Sequence, residues 1–265
     1  MKLLNKKFDL EKFWLSLSCT QKALLMFDYD GTLSPFVEER DKAYPYPGVR
    51  DRLRELLNIK NCKLVIITGR ETKELKRLLG LNPHPEIWGC HGLKILYPTG
   101  KEENIQPMTP IQEESLKKDI NWCIKHGLKN HLEIKTGCIA FHTRGIKQEK
   151  AKSLESSVKK AWSNLSKDSD LIIKDFDGGV EIRVPGSNKA FAVNKLVSRY
   201  KNYISCYLGD DLTDEDAFLA LKGKGLCVLV RKNLRETSAD LWIVPPEELL
   251  WILDKFISVL KGEEG

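Results

Sequence analysis

The sequence predicts an α/β core domain, built on a parallel sheet, into which a smaller α+β domain is inserted. Short apolar runs such as "KLVII" alternate with helical patterns near the start of the chain. Continuous runs of this kind are typical of strands that are buried on both faces of a parallel sheet. The middle of the chain instead alternates polar and apolar residues around Thr-Gly and Asp-Gly turns, which indicates antiparallel hairpins. The parallel pattern then returns.

The first part of the core domain reads as a βαβα arrangement followed by another strand. An amphipathic helix is expected before it, because apolar residues recur at helical spacing near the N-terminus. In chain order, the predicted elements are this helix around Phe8, Phe13 and Trp14, a strand at 23–27, a helix at about 48–57, a strand at 63–68, a helix at about 71–79 and a strand at 86–90.

The inserted domain is predicted to have the order αββαββ. Thr136-Gly137 separates its first two strands, and Asp177-Gly178-Gly179 separates its last two. The predicted elements are a helix at 111–126, strands at 132–136 and 138–144, a helix at 147–164, and strands at 170–176 and 180–184. Such a segment folds as an antiparallel sheet with two helices.

The last part of the chain restores the parallel pattern. It contains a helix after Asn188, strands at 203–209, 226–230 and 241–245, and a helix from about Pro246. The predicted fold class is therefore α/β: a Rossmann-like parallel-sheet core with an inserted α+β (αββαββ) domain. The expected domains are residues 1–102 and 185–265 for the core and 103–184 for the insertion, with crossings near 98–108 and 184–188.

Composition narrows the class of protein. Among 265 residues, 42% are hydrophobic and 30% are charged, which is ordinary for a soluble globular chain. The net charge of +6 favours an anionic small molecule and is below that of a dedicated nucleic-acid binder. Seven cysteines without a C-x-x-C pair suggest neither disulfides nor zinc, and predict a cytoplasmic location. Asp9, Glu11 and Lys12 argue against a secretory signal, and no apolar run is long enough to span a membrane.

Four polar clusters follow predicted strands of the core domain. They are Asp28-Tyr29-Asp30-Gly31-Thr32, Thr68-Gly69-Arg70, Lys189 and the segment "GDDLTDED" at 209–216. Open α/β sheets bind ligands at the carboxyl ends of their strands. Each cluster alone is a weak signal, since a single D-x-D is usually a turn or a helix cap. Their order and their positions together predict an active site.

The residue types in these clusters suit the hydrolysis of a phosphate monoester. Asp28 is the candidate nucleophile, because a carboxylate can form a covalent intermediate with phosphorus. Asp30 is the candidate general acid and base. The Thr68 hydroxyl and the Gly69 N–H are candidates for phosphate binding, and Lys189 would balance the charge that develops in the transition state.

Mg²⁺ would relieve the repulsion between these carboxylates and an anionic substrate. It prefers a few carboxylates together with water and substrate phosphate. The candidate protein ligands are Asp28, the main-chain carbonyl of Asp30, and Asp210, with Asp211 and Asp214 as nearby support. The sequence therefore predicts a magnesium site beside the nucleophile.

Part of the last cluster has a structural explanation. Thr213 and Asp216 have the spacing of a capping box. Glu215 and Asp216 lie in the first turn of the following helix, where acidic side chains complement the helix dipole. Glu215 and Asp216 are therefore assigned to the helix and not to the site.

The four clusters resemble the motifs of haloacid dehalogenase superfamily phosphatases. "GCHG" at 89–92, "FHTR" at 141–144, "VEIRVPGSNK" at 180–189 and "GDDLTDEDAF" are similar to segments of trehalose-6-phosphate phosphatases within it. The resemblance spans about residues 22–245; Ala190 stands where that family usually has glycine. It implies a Mg²⁺-dependent enzyme that dephosphorylates trehalose 6-phosphate through an aspartyl phosphate. It also implies that the inserted domain is a cap over the sugar, and that a trehalose-6-phosphate synthase is a functional partner.

Sugar specificity is expected to come from a second set of residues. The candidates for substrate contact are Glu181, Arg183, His142, Arg144, His91 and Gly92. Each has a structural alternative. His91 could be a hydrogen-bonded histidine of a turn, His142 and Arg144 share a strand face that could point to solvent, and Glu181 with Arg183 could be only an ion pair.

Three other functions stay open at the level of sequence. The first keeps the chemistry and changes the substrate to another glycosyl phosphate, of the sucrose or mannosylglycerate type. The second is a non-catalytic sensor of sugar phosphate, which is disfavoured because the candidate catalytic residues are all present. The third is a nucleic-acid-binding module using the lysine-rich segment 147–167, for which no recognition motif is found.

Overall fold

The computed structural model describes residues 1–37, 39–105, 108–176, 178–186 and 188–263. The chain forms two compact units, residues 1–103 with 188–265, and residues 104–187. The predicted boundaries at 102/103 and 184/185 lie close to these positions. Asp177 of the predicted turn, Ser187 before the lysine cluster, and Gln106 and Pro107 of the predicted crossing lie outside the described residues.

The described residues form thirteen strands and eight α-helices. The strands are β1 (Lys2–Leu3), β2 (Ala23–Phe27), β3 (Cys62–Ile67), β4 (Glu86–Gly89), β5 (Lys94–Leu96), β6 (Glu102–Asn104), β7 (Leu132–Lys135), β8 (Cys138–His142), β9 (Ile172–Phe176), β10 (Gly179–Arg183), β11 (Ile204–Gly209), β12 (Gly225–Val230) and β13 (Leu241–Ile243). The helices are α1 (Leu10–Thr20), α2 (Val49–Asn58), α3 (Thr72–Leu79), α4 (Pro110–Lys125), α5 (Gln148–Leu165), α6 (Lys189–Arg199), α7 (Glu215–Leu221) and α8 (Glu247–Lys261).

The larger unit is built on a nine-stranded sheet with the order β1-β13-β12-β11-β2-β3-β4-β5-β6. The six strands from β13 to β4 are all parallel. From β2 the chain continues to β3 and then β4 on one side of β2. Later it forms β11, β12 and β13, in that order, on the other side of β2. The strand order therefore reverses between β2 and β11, which is where such sheets bind ligands.

Continuous apolar runs account for the central strands. All five residues of β2 are buried, as are the last five of β11 and of β12. One set of side chains from these strands packs with α2 and α8 in a single core that includes Leu25, Leu53 and Phe256. The predicted parallel sheet is confirmed.

The N-terminal helix is also present. The Asp9 side chain caps α1 by accepting a hydrogen bond from the Lys12 N–H, and Phe13 and Trp14 pack on Phe256 of α8. The short edge strands β1, β5 and β6 were not predicted from the sequence. They have only two or three residues each, and hydrophobic periodicity cannot be recognised over so short a length.

The smaller unit is an antiparallel sheet with the order β7-β8-β10-β9 and two helices, α4 and α5. The αββαββ order is confirmed. Ile139 and Phe141 of β8 and Val180 and Ile182 of β10 join a core with Trp162 of α5. The intervening residues of both strands lie on the opposite face of the sheet, because side chains alternate along a strand.

Within the described ranges, no helix is both long enough and apolar enough to cross a lipid bilayer.

Candidate active site

The carboxyl ends of three adjacent strands bring together three of the predicted clusters. Asp28 follows β2, Thr68 follows β3 and Asp210 follows β11. In the sheet β2 lies between the other two strands. Residues that are far apart in sequence meet here because parallel strands end at the same edge of the sheet.

Asp28 is buried and has a cation as its neighbour. The ammonium of Lys189 donates a hydrogen bond to Asp28 Oδ1 at 2.7 Å. The Thr32 hydroxyl lies 3.4 Å from Asp28 Oδ2 and 3.5 Å from Asp210 Oδ1. Lys189 is the first residue of α6, whose N-cap is Asn188. Ala190 is accommodated in the first turn of this helix.

Asp214 lies behind Lys189 and is fully buried. Its Oδ1 accepts hydrogen bonds from Lys189 Nζ at 2.7 Å and from the Tyr207 hydroxyl at 2.6 Å. Its Oδ2 accepts the N–H groups of Asp210 and Asp211, both at 3.0 Å. With four donors, the Asp214 carboxylate fixes both the lysine and the main chain that bears Asp210.

The start of the following helix differs from the sequence expectation. The capping box is formed by Asp211 and Asp214 at a 3₁₀ turn, Leu212–Asp214, and α7 begins only at Glu215. The expected pair of Thr213 and Asp216 was wrong. Both pairs have the required spacing, and the sequence alone did not show where the helix begins.

The acidic groups around Asp28 fit a hard divalent cation. One carboxylate oxygen each from Asp28, Asp210 and Asp214 lies within 4.8 Å of the others, and all three residues are buried. Asp210 Oδ2 is buried and, among the described residues, has no hydrogen-bond partner. Since Asp214 is occupied by its four donors, Asp28 and Asp210 are the side chains best placed to bind an ion. The atoms that these three residues offer are carboxylate oxygens, which Mg²⁺ prefers.

Glycine keeps space open beside Asp210. Gly31 has a φ of +83°, and a Cβ atom at this position would lie 2.2 Å from Asp210 Oδ2. Any side chain would therefore collide with the candidate ligand oxygen. The tight turn after β2 and the position of Asp210 both require glycine here.

The electrostatics of the cluster favour cation binding. Burial raises the pKa of Asp28 to about 7, although Lys189 opposes the shift. Burial and the nearby Asp28 carboxylate raise the pKa of Asp210 well above its ordinary value. Burial alone would lower the pKa of Lys189, but Asp214 and Asp28 outweigh it and the pKa is raised. When Asp28, Asp210 and Asp214 are all ionised, their charge together with that of the Lys189 ammonium is −2, which a divalent ion would neutralise.

Asp30 is held by an arginine that the sequence analysis did not assign. Arg70 Nε and Nη2 donate to the two Asp30 oxygens at 2.7 and 2.6 Å, and Arg70 also pairs with Glu74. The Arg70 side chain is buried, while that of Asp30 is 27% exposed. A bidentate pair of this kind fixes the orientation of the Asp30 carboxylate.

The predicted phosphate-binding turn packs on the "GCHG" turn. The N–H of Cys90 donates to Arg70 O at 2.9 Å, and the N–H of His91 donates to Thr68 O at 3.0 Å. A Cβ on Gly69 would lie 2.7 Å from the His91 ring, so the ring touches the main chain of this turn. Gly92, with a φ of +97°, lies near Asn188 and Ala192 at the start of α6. His91 and Gly92 thus support both the turn and the lysine helix.

In the smaller unit, three of the predicted substrate residues share one sheet face. His142 and Glu181 are on β8 and β10, and Arg183 lies two residues beyond Glu181. This face is opposite the core with α4 and α5. Arg183 Nη1 pairs with Glu181 Oε1 at 2.7 Å, and both side chains are buried. This ion pair, formed within β10, is the structural alternative to the predicted substrate contact.

His142 and Arg144 contact different neighbours. His142 Nε2 lies 2.9 Å from Glu133 Oε2, and its ring packs on Phe176. Arg144 follows the end of β8, and its side chain packs against the main chain at Gly178. Strand alternation predicts a common face for the two residues, and β8 itself ends at His142.

Several residues of the site had no role predicted from the sequence. Thr32 and Arg70 lay inside quoted motifs, and their position after a strand was the available signal. No sequence pattern pointed to Tyr207 or Arg235. The hydrogen bonds of Tyr207 to Asp214 and of Arg235 to Asp210 become apparent only once the strands are assembled.

The sequence of this chain matches that of a known protein family. The trehalose-phosphatase family model matches residues 26–240. The probable trehalose-phosphate phosphatase E of Arabidopsis thaliana is 32% identical over 260 residues, which cover 89% of this chain and 70% of that protein.

Solved structures agree in fold. The C-terminal domain of Candida albicans trehalose-6-phosphate phosphatase has a TM-score of 0.79 at 21% identity, with 99% of each chain covered. The Aspergillus fumigatus trehalose-6-phosphate phosphatase has a TM-score of 0.66 at 26% identity, with 97% of this chain and 98% of that one covered. This chain therefore belongs to the trehalose-phosphatase family.

Proposed function

We propose that this chain hydrolyses trehalose 6-phosphate to trehalose and phosphate, with Asp28 as the nucleophile. The observation that supports this most strongly is the buried position of Asp28 between Lys189 and Asp210, at the point where the strand order reverses. Burial removes competing water, and the fixed ammonium holds one carboxylate oxygen so that the other is available for attack.

In the first half-reaction, an Asp28 oxygen attacks phosphorus and the bond between phosphorus and the sugar oxygen breaks. The departing alkoxide takes a proton from Asp30, which gives free sugar and an aspartyl phosphate. Lys189 stabilises the charge on the phosphoryl oxygens. The Thr68 hydroxyl and the Gly69 N–H hold the same oxygens.

In the second half-reaction, Asp30 accepts a proton from a water molecule that attacks phosphorus. The bond between phosphorus and Asp28 breaks, and the free carboxylate and inorganic phosphate result. Asp30 is bound by Arg70 on both oxygens. It must therefore exchange one of these bonds for the substrate during the cycle.

Mg²⁺ is the proposed cofactor, with Asp28, the main-chain carbonyl of Asp30, and Asp210 as its protein ligands. When bound, it neutralises the excess negative charge of the cluster and of the phosphate. Asp211 and Asp214 support this site, since Asp214 binds the main-chain N–H of both Asp210 and Asp211.

Sugar recognition is assigned to Glu181, Arg183 and His142, with Arg144, His91 and Gly92 in supporting roles. The first three offer charged and polar groups on one sheet face. A disaccharide is bound by such groups through its hydroxyls. A cytoplasmic location and a functional link to a trehalose-6-phosphate synthase remain predictions from the sequence.

The experiment that tests this function is phosphate release from four substrates, each with Mg²⁺ and with a chelator. The panel contains trehalose 6-phosphate, sucrose 6-phosphate, glucose 6-phosphate and mannosyl-3-phosphoglycerate. We expect Mg²⁺-dependent release with a strong preference for the first. Activity on another member alone would keep the mechanism and replace the substrate, whereas no activity on any would support the sensor.

Two variants test the residue roles in the same assay. Asp28→Asn should abolish turnover with the fold intact, and Asp30→Asn should abolish it through loss of proton transfer. Wild-type rates in either variant would disprove the role assigned to that residue. Circular dichroism provides the check on folding.

A further inference from the structure

The main-chain carbonyl groups of Asp210 and Asp211 accept hydrogen bonds from an arginine that is distant in sequence. Arg235 Nη2 donates to Asp211 O at 2.7 Å and to Asp210 O at 3.2 Å, and Arg235 Nε donates to Asp210 O at 3.3 Å. Arg231 Nη1 adds one further bond to Asp210 O at 3.3 Å. The two carbonyls therefore share one guanidinium.

The same main chain is held from its N–H side by Asp214, as described above. Asp210 and Asp211 thus have both their N–H and their C=O groups bonded to side chains. Each of these peptide groups has a fixed orientation, and the direction of the Asp210 side chain depends on it. Asp210 Oδ2 is a buried oxygen for which the described residues offer no hydrogen-bond partner.

Arg235 is itself fixed by Glu215. The Arg235 Nη1 group pairs with Glu215 Oε1, which also accepts the Thr237 hydroxyl at 2.8 Å, and Glu215 Oε2 accepts the Ser238 N–H at 2.8 Å. Glu215 therefore binds the segment 235–238 to the start of α7. Its role extends beyond the helix dipole to which the sequence analysis assigned it.

We propose that Arg235 is a positioning residue for the metal site, which orients Asp210 for cation binding through the two main-chain carbonyls. The planar guanidinium suits this task because its donors have a fixed geometry, whereas a lysine ammonium is a single flexible point of charge. Partners in the second coordination sphere of metal sites affect metal affinity about 10- to 100-fold when they are changed. This inference rests on the proposed function for the presence of a divalent ion.

The test is direct binding of Mn²⁺ to the full chain, measured by electron paramagnetic resonance without substrate. Arg235→Gln should raise the dissociation constant about 10- to 100-fold, and Arg235→Lys should raise it less. Arg52→Gln is the matched control, because Arg52 also binds a carboxylate, Asp254, and a carbonyl, Gly48 O. It should leave the constant within about twofold of wild type, a smaller change than that expected at a metal site.

A second readout separates positioning from general loss of structure. In Arg235→Gln the Mg²⁺ concentration for half-maximal activity should rise by the same factor as the Mn²⁺ constant, while saturating Mg²⁺ restores most of kcat. Wild-type Mn²⁺ affinity in Arg235→Gln would overturn the inference and leave the proposed function intact. Absence of Mn²⁺ binding to the wild type would overturn both the proposed metal cofactor and this inference. If Arg235→Gln does not fold, the single variants Arg235→Lys and Glu215→Gln replace it. Wild-type Mn²⁺ affinity in both of them overturns the inference.

Discussion

Single residues in this site are distinguished by their partners more than by their type. Asp28, Asp210 and Asp214 are all buried aspartates. Asp214 accepts four hydrogen bonds and serves the structure, whereas Asp210 retains an oxygen without a partner among the described residues. A sequence shows three aspartates close to glycines and strands, but the partners that separate their roles come from residues far away in the chain.

Lys189 should stabilise the metal-free protein as well as act in catalysis. Lys189→Met would leave Asp28 and Asp214 without their buried cation. Breaking a buried ion pair from one side costs about 3–5 kcal/mol. We expect a loss of this size in the free energy of unfolding at pH 8 in the presence of a chelator, measured with urea, together with loss of turnover.

Lys224→Met provides the control, because Lys224 is exposed and its ammonium donates to a helix carbonyl, Ala220 O. Lowering the pH should reduce the deficit of Lys189→Met, since protonation removes the unpaired carboxylate charge. Equal stability of the two variants at pH 8 would contradict the structural role of Lys189.

Gly31 should be required for space as well as for backbone conformation. Gly31 and Gly100 have nearly the same φ, +83° and +85°, but a Cβ on Gly31 would meet Asp210 Oδ2 and one on Gly100 would meet nothing within 4 Å. Backbone strain costs about 1–2 kcal/mol in either case. Only Gly31→Ala should also lose Mg²⁺-dependent activity, by more than about tenfold. Equal activity in the two variants would show that the space beside Asp210 is unimportant.

Secondary-structure elements were predicted well where their signal is continuous. The buried strands and amphipathic helices follow from apolar runs and helical spacing, and the polar clusters follow from the ends of those strands. The contact between the "TGR" and "GCHG" turns could not be predicted in this way. The contact depends on main-chain hydrogen bonds between the segments that follow the neighbouring strands β3 and β4, such as the bond from His91 N–H to Thr68 O. Main-chain hydrogen bonds leave no recognisable pattern of residue types in the sequence.

Helix α4 contains a carboxyl group that should make the smaller unit sensitive to pH. Asp119 is buried, accepts a hydrogen bond from Ser166, and has its Oδ1 without a partner among the described residues. Burial raises the pKa of Asp119 to about 7, and the Ser166 bond opposes the shift. The folded state therefore binds this proton more tightly than the unfolded state. Its stabilising contribution is lost as the pH rises from about 4 to 7.

Asp119→Asn should remove this dependence. The variant should gain about 2 kcal/mol of unfolding free energy relative to wild type between pH 5 and pH 8. Urea unfolding at the two pH values measures the change, and hydrogen exchange of α4 and α5 amides localises it. Asp175→Asn is a suitable control because the Asp175 side chain is 59% exposed. A constant difference between Asp119→Asn and wild type at both pH values would contradict the assignment.

For the whole molecule, the sequence predicted the fold class and the family, and left the residue roles as hypotheses. The change from continuous to alternating apolar patterns marks the insertion, because parallel and antiparallel sheets bury their strands differently. The capping box at Asp211 and the bidentate Arg70–Asp30 pair were not predicted. The capping box depends on a choice between two equally spaced pairs, which only the folded chain makes. The Arg70–Asp30 pair joins residues that are 40 positions apart in sequence and meet only after folding.

The most direct test of Asp28 as nucleophile is acid quenching of the enzyme during turnover of trehalose 6-phosphate labelled with ³²P. We predict label on the wild-type protein that is stable to acid and released by hydroxylamine, as for an acyl phosphate, and no label on Asp28→Asn. Phosphate release without labelled protein, or label that persists in Asp28→Asn, would contradict covalent catalysis by Asp28.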